Sequence, residues 1–210
     1  MDVIKPAPAL ALRVLRFPLT LLVIEAAAVV LTAAGLTRLL RKAGVGREGP
    51  VNLLGAVIVS LAVIAVWKAL RRWLEGERDA EFAMNGAAKE LGGGLALGFL
   101  LFSGMTGVVM LMGGMRIEGL RGAGQIWAML AMAITSGLFE ETLFRGVLFR
   151  HIEAMLGSWA ALAITSALFG AAHLGNPGAS LFAAFAIAVE AGILLGAAYM
   201  LTRRLWLAAG

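Results

Sequence analysis

Four residues carry the chemical potential of this sequence, because each lies in a run of apolar residues where an ionisable group is costly. Glu140 and Glu141 are adjacent, Arg145 follows Glu141 by four positions, and His173 closes the pattern Phe169-x-x-x-His173. On a helix, Glu141 and Arg145 share a face and lie within reach of an ion pair. Glu140 points about 100° away around the helix and does not easily share that arginine. It is therefore free to face a cavity, and a carboxylate in an apolar, partly dry site suits general-base work near neutral pH. By spacing alone the Glu-Glu-Arg group reads equally well as a structural ion pair with a neighbouring acid. His173 shifts the balance. The four-residue spacing stacks Phe169 against its imidazole, and a Glu and a His meeting in one pocket could activate water. The Glu would accept the proton, and the His would orient the water or stabilise the oxyanion.

The elements that must position these groups are membrane helices. The 210 residues are 60% hydrophobic and only 15% charged, with mean hydropathy +0.89. A soluble domain carries about 25% charged residues, so a water-facing globule is excluded, and so is a disordered chain. A spanning helix needs about 20 mostly apolar residues. Six runs satisfy this: 17–36, 53–70, 91–115, 125–149, 158–174 and 181–201. The first run is longer than the core of a cleaved signal and reads as a retained helix. Segment 75–90 is the most charged stretch and reads as a loop, and Gly175-Asn176-Pro177-Gly178 reads as a tight turn. The short link at 151–157 makes the fourth and fifth spans antiparallel neighbours. Counting residues along them places Glu140 and His173 at comparable depth. The expected fold is an all-α polytopic bundle of about six spans, with residues 1–125 as an N-terminal three-helix part and 126–210 carrying the candidate residues; the resemblance described below implies that 126–210 is a catalytic core.

Charge sets the orientation. With the N-terminus cytoplasmic, Lys5, Arg13, Arg16, Arg71, Arg72, Arg78, Lys89, Arg150, Arg203 and Arg204 lie on that side. Arg38, Arg41, Lys42, Arg47, Arg116 and Arg121 lie on the other. The basic excess favours N-in. The net charge of +5 comes from residues flanking the apolar runs, which anchor in lipid headgroups, so nucleic acid is not an expected partner. The small-residue pairs Gly94/Gly98 and Gly192/Gly196 read as packing.

Other candidates are weaker. Cysteine is absent, which removes thiol nucleophiles, thiolate metal sites and disulfides. Ser136 and Ser166 lie near the motifs, but no Gly-x-Ser-x-Gly is present. His151 adjoins Arg150 and reads as an interfacial residue at the membrane edge. Glu25 and Glu190 are lone acids in the first and sixth spans, read as packed against polar partners. A metal site using Glu140, Glu141 and His173 is a competing chemistry, weakened because zinc sites favour several His or Cys ligands. No cofactor is expected.

Glu140-Glu141-Thr-Leu-Phe-Arg145, followed about 30 residues later by Phe169-Gly-Ala-Ala-His173, resembles the motif pair of the CAAX protease and bacteriocin-processing family, also called CPBP or Abi. These are multi-span intramembrane endopeptidases that include the type II CAAX prenyl proteases. The resemblance covers roughly Ile126 to the end. It implies that Glu140 is the water-activating base, that Glu141 and Arg145 form a supporting pair, that His173 positions the water and that Phe169 packs beside it. It also implies peptide-bond hydrolysis in a prenylated or other membrane-associated peptide tail. A further family motif of the type H-x-x-x-N belongs on a later helix. The sequence stops at Gly210, where that helix should begin, which reads as a truncated chain. A non-catalytic binding or bacteriocin self-immunity protein of the same family is the second reading. A small transporter using Glu25 and Glu190 is the third. The expected setting is a prokaryotic inner membrane.

Overall fold

A computed structural model describes residues 14–76, 80–119 and 124–210. Lys5, Arg13, Arg78 and Arg121, which enter the orientation argument, lie outside the described residues. So do Glu77 and Asp79 of the charged loop. The described residues are helical and contain no strand. Among the described residues, six helices are long and apolar enough to cross a membrane: α1 (Pro18–Lys42), α2 (Gly49–Glu75), α3 (Ala87–Leu111), α4 (Gly124–Leu156), α5 (Ser158–Gly175) and α6 (Leu181–Thr202). A single turn, α7 (Trp206–Ala209), follows. The protein is thus an all-helical, multi-pass integral membrane protein by the length and composition of its helices.

Several helices differ in extent from their apolar runs, α1 reaching Lys42 and α2 spanning Gly49–Glu75, and two further differences change how the elements connect. α4 does not end near Arg150 but runs on to Leu156, and α5 starts at Ser158. The link is the single residue Gly157, whose φ of +83° lies in the region open chiefly to glycine. Glu140 therefore lies about 16 residues before the end of α4, and His173 about 15 residues beyond the start of α5, nearly level in height. The second difference is in α3, which begins at Ala87 inside the segment read as loop.

α4 is the central element. Its first turns pack on α2, its middle and lower turns pack on α1, and α5 and α6 cover another side. α3 stands apart and is joined to the rest mainly through α7. In lipid there is little hydrophobic drive between helices, so close approach depends on small residues and polar ties. Gly170 on α5 faces Ala184 and Ala188 of α6. Gly192 faces Ser166, and Gly196 faces Leu162. The interior is filled by Val29, Val63, Trp67, Val147, Phe149, Tyr199 and Leu205. Large residues such as Phe99, Phe102 and Leu111 stay exposed, as expected of faces turned to acyl chains.

One buried polar tie crosses three helices and takes in His151. That residue is buried among protein side chains. Its Nε2 lies 3.0 Å from an Arg150 nitrogen and 3.3 Å from Glu25 Oε2. Glu25 is fully buried; its Oε2 accepts from Arg150 at 2.8 Å and from Trp67 Nε1 at 3.2 Å. Arg150 also donates to Glu75 on α2. The extended α4 carries His151 and Arg150 inward against α1.

Candidate active site

Helix α4 changes its winding where the motif lies. Ser136–Glu140 and Thr142–Phe149 are π-helical, and the facing part of α6, Ala188–Gly192, is π-helical too. Wide turns of this kind are uncommon and recur at functional sites. The i,i+4 relation survives: Arg145 donates to Glu141 Oε1 at 2.7 Å, and both side chains are buried. Arg145 also donates to the Gly192 carbonyl at 3.1 Å, tying α4 to α6.

Phe169 stands at the hub of the site. The Arg145 guanidinium lies 4.9 Å from its ring centroid, a cation–π contact in a dry setting. Phe144 meets the Phe169 ring edge-on at 5.0 Å. On its other side the His173 ring is tilted against it at 4.8 Å. Arg145 and His173 are thereby held against the same aromatic ring.

His173 sits where α5 tightens into a 3₁₀ turn. Its Nδ1 lies 2.8 Å from the Phe169 carbonyl oxygen. A carbonyl can only accept, so Nδ1 carries the proton in this bond. Nε2 is left as the nitrogen available to the cavity.

That cavity is large, about 800 Å³, and is lined by Glu140, Glu141, Phe169 and His173 together with residues of α3, α6 and the 207–210 segment. The rest of the wall is mainly aliphatic, including Leu97 and Leu101 of α3 and Leu194 and Leu195 of α6. Glu140 is partly exposed in it, while Glu141 is turned into the protein toward Arg145. Adjacent carboxylates thus have different surroundings, one in an ion pair and one at a cavity wall. Ser136 also lines the cavity. Ser166 is buried instead, at the α5–α6 contact.

The donor atoms of Glu140, Glu141 and His173 do not all lie within 4.8 Å of one another. Among the described residues, the trio whose donor atoms lie within 4.8 Å of one another is Glu25, Glu75 and His151, and there the Arg150 guanidinium already bonds both carboxylates. The two lone acids part ways: Glu25 has the partners given above, whereas Glu190 is exposed on α6. Sequence spacing missed the Gly192 carbonyl as an Arg145 partner. The only signal for it was Gly192 itself, a small residue in the G-x-x-x-G of α6.

Residues 122–210 match the model of the family described as type II CAAX prenyl endopeptidase Rce1-like. No curated protein matches, and no solved structure matches.

Proposed function

We propose, on the premise that residues 122–210 belong to the Rce1-like family of type II CAAX prenyl endopeptidases, that this protein is an intramembrane peptidase in which Glu140 activates water. The observation that carries the reading is the shared cavity. Glu140 and His173, from successive helices, line one space with aliphatic walls. A water between them would give one proton to a Glu140 oxygen and hold its other hydrogen on His173 Nε2. Its oxygen would add to the scissile carbonyl carbon, and the carbonyl would become a tetrahedral oxyanion. The C–N bond would then break as the Glu140 proton passes to the leaving nitrogen, releasing an amine and a carboxylic acid that keeps the water's second hydrogen.

Glu141 and Arg145 act through position. Arg145 anchors α4 to α6 through Gly192, and its face is packed on Phe169. The aliphatic walls suit the tail of a membrane-associated peptide, with a prenylated C-terminal CAAX-type segment as the leading substrate. A cytoplasmic N-terminus fits the distribution of basic residues.

The test is cleavage in detergent of a farnesylated CAAX peptide and its unprenylated counterpart. The wild-type chain is compared with Glu140→Gln and His173→Ala, each checked for unchanged helicity. Cleavage by wild type and loss in both variants is the expected result. A peptide that binds the wild-type chain but stays intact would overturn the peptidase reading in favour of binding or self-immunity.

A further inference from the structure

A second cavity, of about 350 Å³, lies away from the catalytic one, where α1 gives way to α2 and the first turns of α4 pack against them. Its lining combines two kinds of residue. Arg41, Arg47 and Asn52 are charged or amide-bearing; apart from Thr37 and Thr135 the rest is small or apolar, including Ala56 and Val59 of α2 and Ala128 and Ala131 of α4. Small residues leave this slot open. The outward faces beside it are apolar and exposed, with Leu54 and Leu61 on α2 and Met129 on α4. Arg41 closes the last turn of α1 and Arg47 lies between α1 and α2, at the end of these two apolar spans, where lipid headgroups meet a membrane helix.

The two arginines have different states. Arg41 is held in place, donating to the Val45 carbonyl at 2.9 Å, to the Gly46 carbonyl, and to Asn52 Oδ1 at 3.1 Å. Arg47 is exposed and has no hydrogen bond or ion pair with any described residue. No carboxylate lines the slot. The nearest in sequence, Glu48, is exposed and is not part of the lining. Two guanidinium groups above a narrow apolar slot match a phosphate on an acyl chain. Guanidinium binds phosphate oxygens through paired charged hydrogen bonds, and basic residues at the membrane surface favour anionic over zwitterionic lipids.

We propose that this slot is a binding site for one anionic phospholipid, its phosphate on Arg41 and Arg47 and one acyl chain between α2 and α4. The slot volume is near the lower end of the range for small-ligand sites, which suits one chain and leaves the second in the bilayer. The site is independent of the catalytic assignment.

The test uses delipidated full-length protein in detergent, titrated with dioleoyl phosphatidylglycerol, dioleoyl phosphatidylcholine or inorganic phosphate, and read by native mass spectrometry and by thermal unfolding. Phosphatidylglycerol is expected to bind at one site and raise Tm. Arg47→Ala, and separately Ala128→Leu to fill the slot, are each expected to weaken that binding by roughly tenfold or more. Both variants should keep the lipid-free Tm and peptide cleavage of the wild type. Equal binding of the two lipids, or no change in Arg47→Ala, would mean ordinary annular lipid and overturn the proposal. An equal shift with inorganic phosphate would overturn the lipid as occupant.

Discussion

Glu140 and Glu141 are neighbours in sequence with the same chemistry, and their surroundings separate them. Glu141 is buried and bonded to Arg145 at 2.7 Å, while Glu140 lines the open cavity. Glu140→Gln keeps the shape and removes the base, so kcat for peptide hydrolysis should fall by about 10²–10⁴ with Tm unchanged. Assays of the purified variant against a prenylated peptide check this. Arg145 behaves differently. Arg145→Met leaves the Glu141 carboxylate buried without its partner, which should destabilise the protein by about 3–5 kcal/mol. Adding Glu141→Gln should recover much of that stability without restoring full activity, because the tie to the Gly192 carbonyl and the packing on Phe169 are still lost. Unfolding of the two single variants and the double variant, run as a cycle, measures the coupling. The ion pair was legible from the i,i+4 spacing. The Gly192 carbonyl was not, because a backbone acceptor 47 residues away leaves no residue type to read.

Helices α5 and α6 set the height and angle of His173. A Cβ on Gly170 would come within 2.7 Å of the Ala188 Cβ and press on the Ala184 carbonyl, far inside van der Waals contact. Gly170→Ala should therefore push the two helices apart. We expect a loss of about 1–3 kcal/mol in stability and a larger fractional loss in kcat than in KM, since His173 shifts against Glu140 while the aliphatic wall persists. Steady-state kinetics beside thermal unfolding separate the two effects. At this scale the sequence reading found the six spans and the packing role of Gly192 and Gly196. Hydropathy marks where a helix lies but not where it ends. The charged end of α4 remains helical because Arg150 and His151 are taken up by Glu25 and Glu75, partners on other helices that a local window does not contain.

The bundle is held across α1, α2 and α4 by the group of Glu25, Glu75, Trp67, Arg150 and His151, just beyond the motif-bearing turns of α4. Arg150→Met should strand Glu25 in the interior and lower stability by about 3–5 kcal/mol. Glu25→Gln added to it should return part of the loss, and denaturant titration in detergent checks both. The same group takes Glu25 out of the role of a free transport acid, while Glu190 stays exposed on α6. By itself the sequence determined the helical membrane class, the motif pair and the near-equal depth of Glu140 and His173. Each of these depends on composition or on spacing along one or two adjoining helices, where 1.5 Å per residue converts position into height. Only the tertiary structure decided that Arg145 reaches the Gly192 carbonyl, that Phe169 packs against Arg145 as well as His173, that His151 is buried, and that a second, arginine-lined slot exists. Those outcomes depend on the rotation of each helix and on side chains that meet across long sequence separations, and neither is encoded in any local pattern.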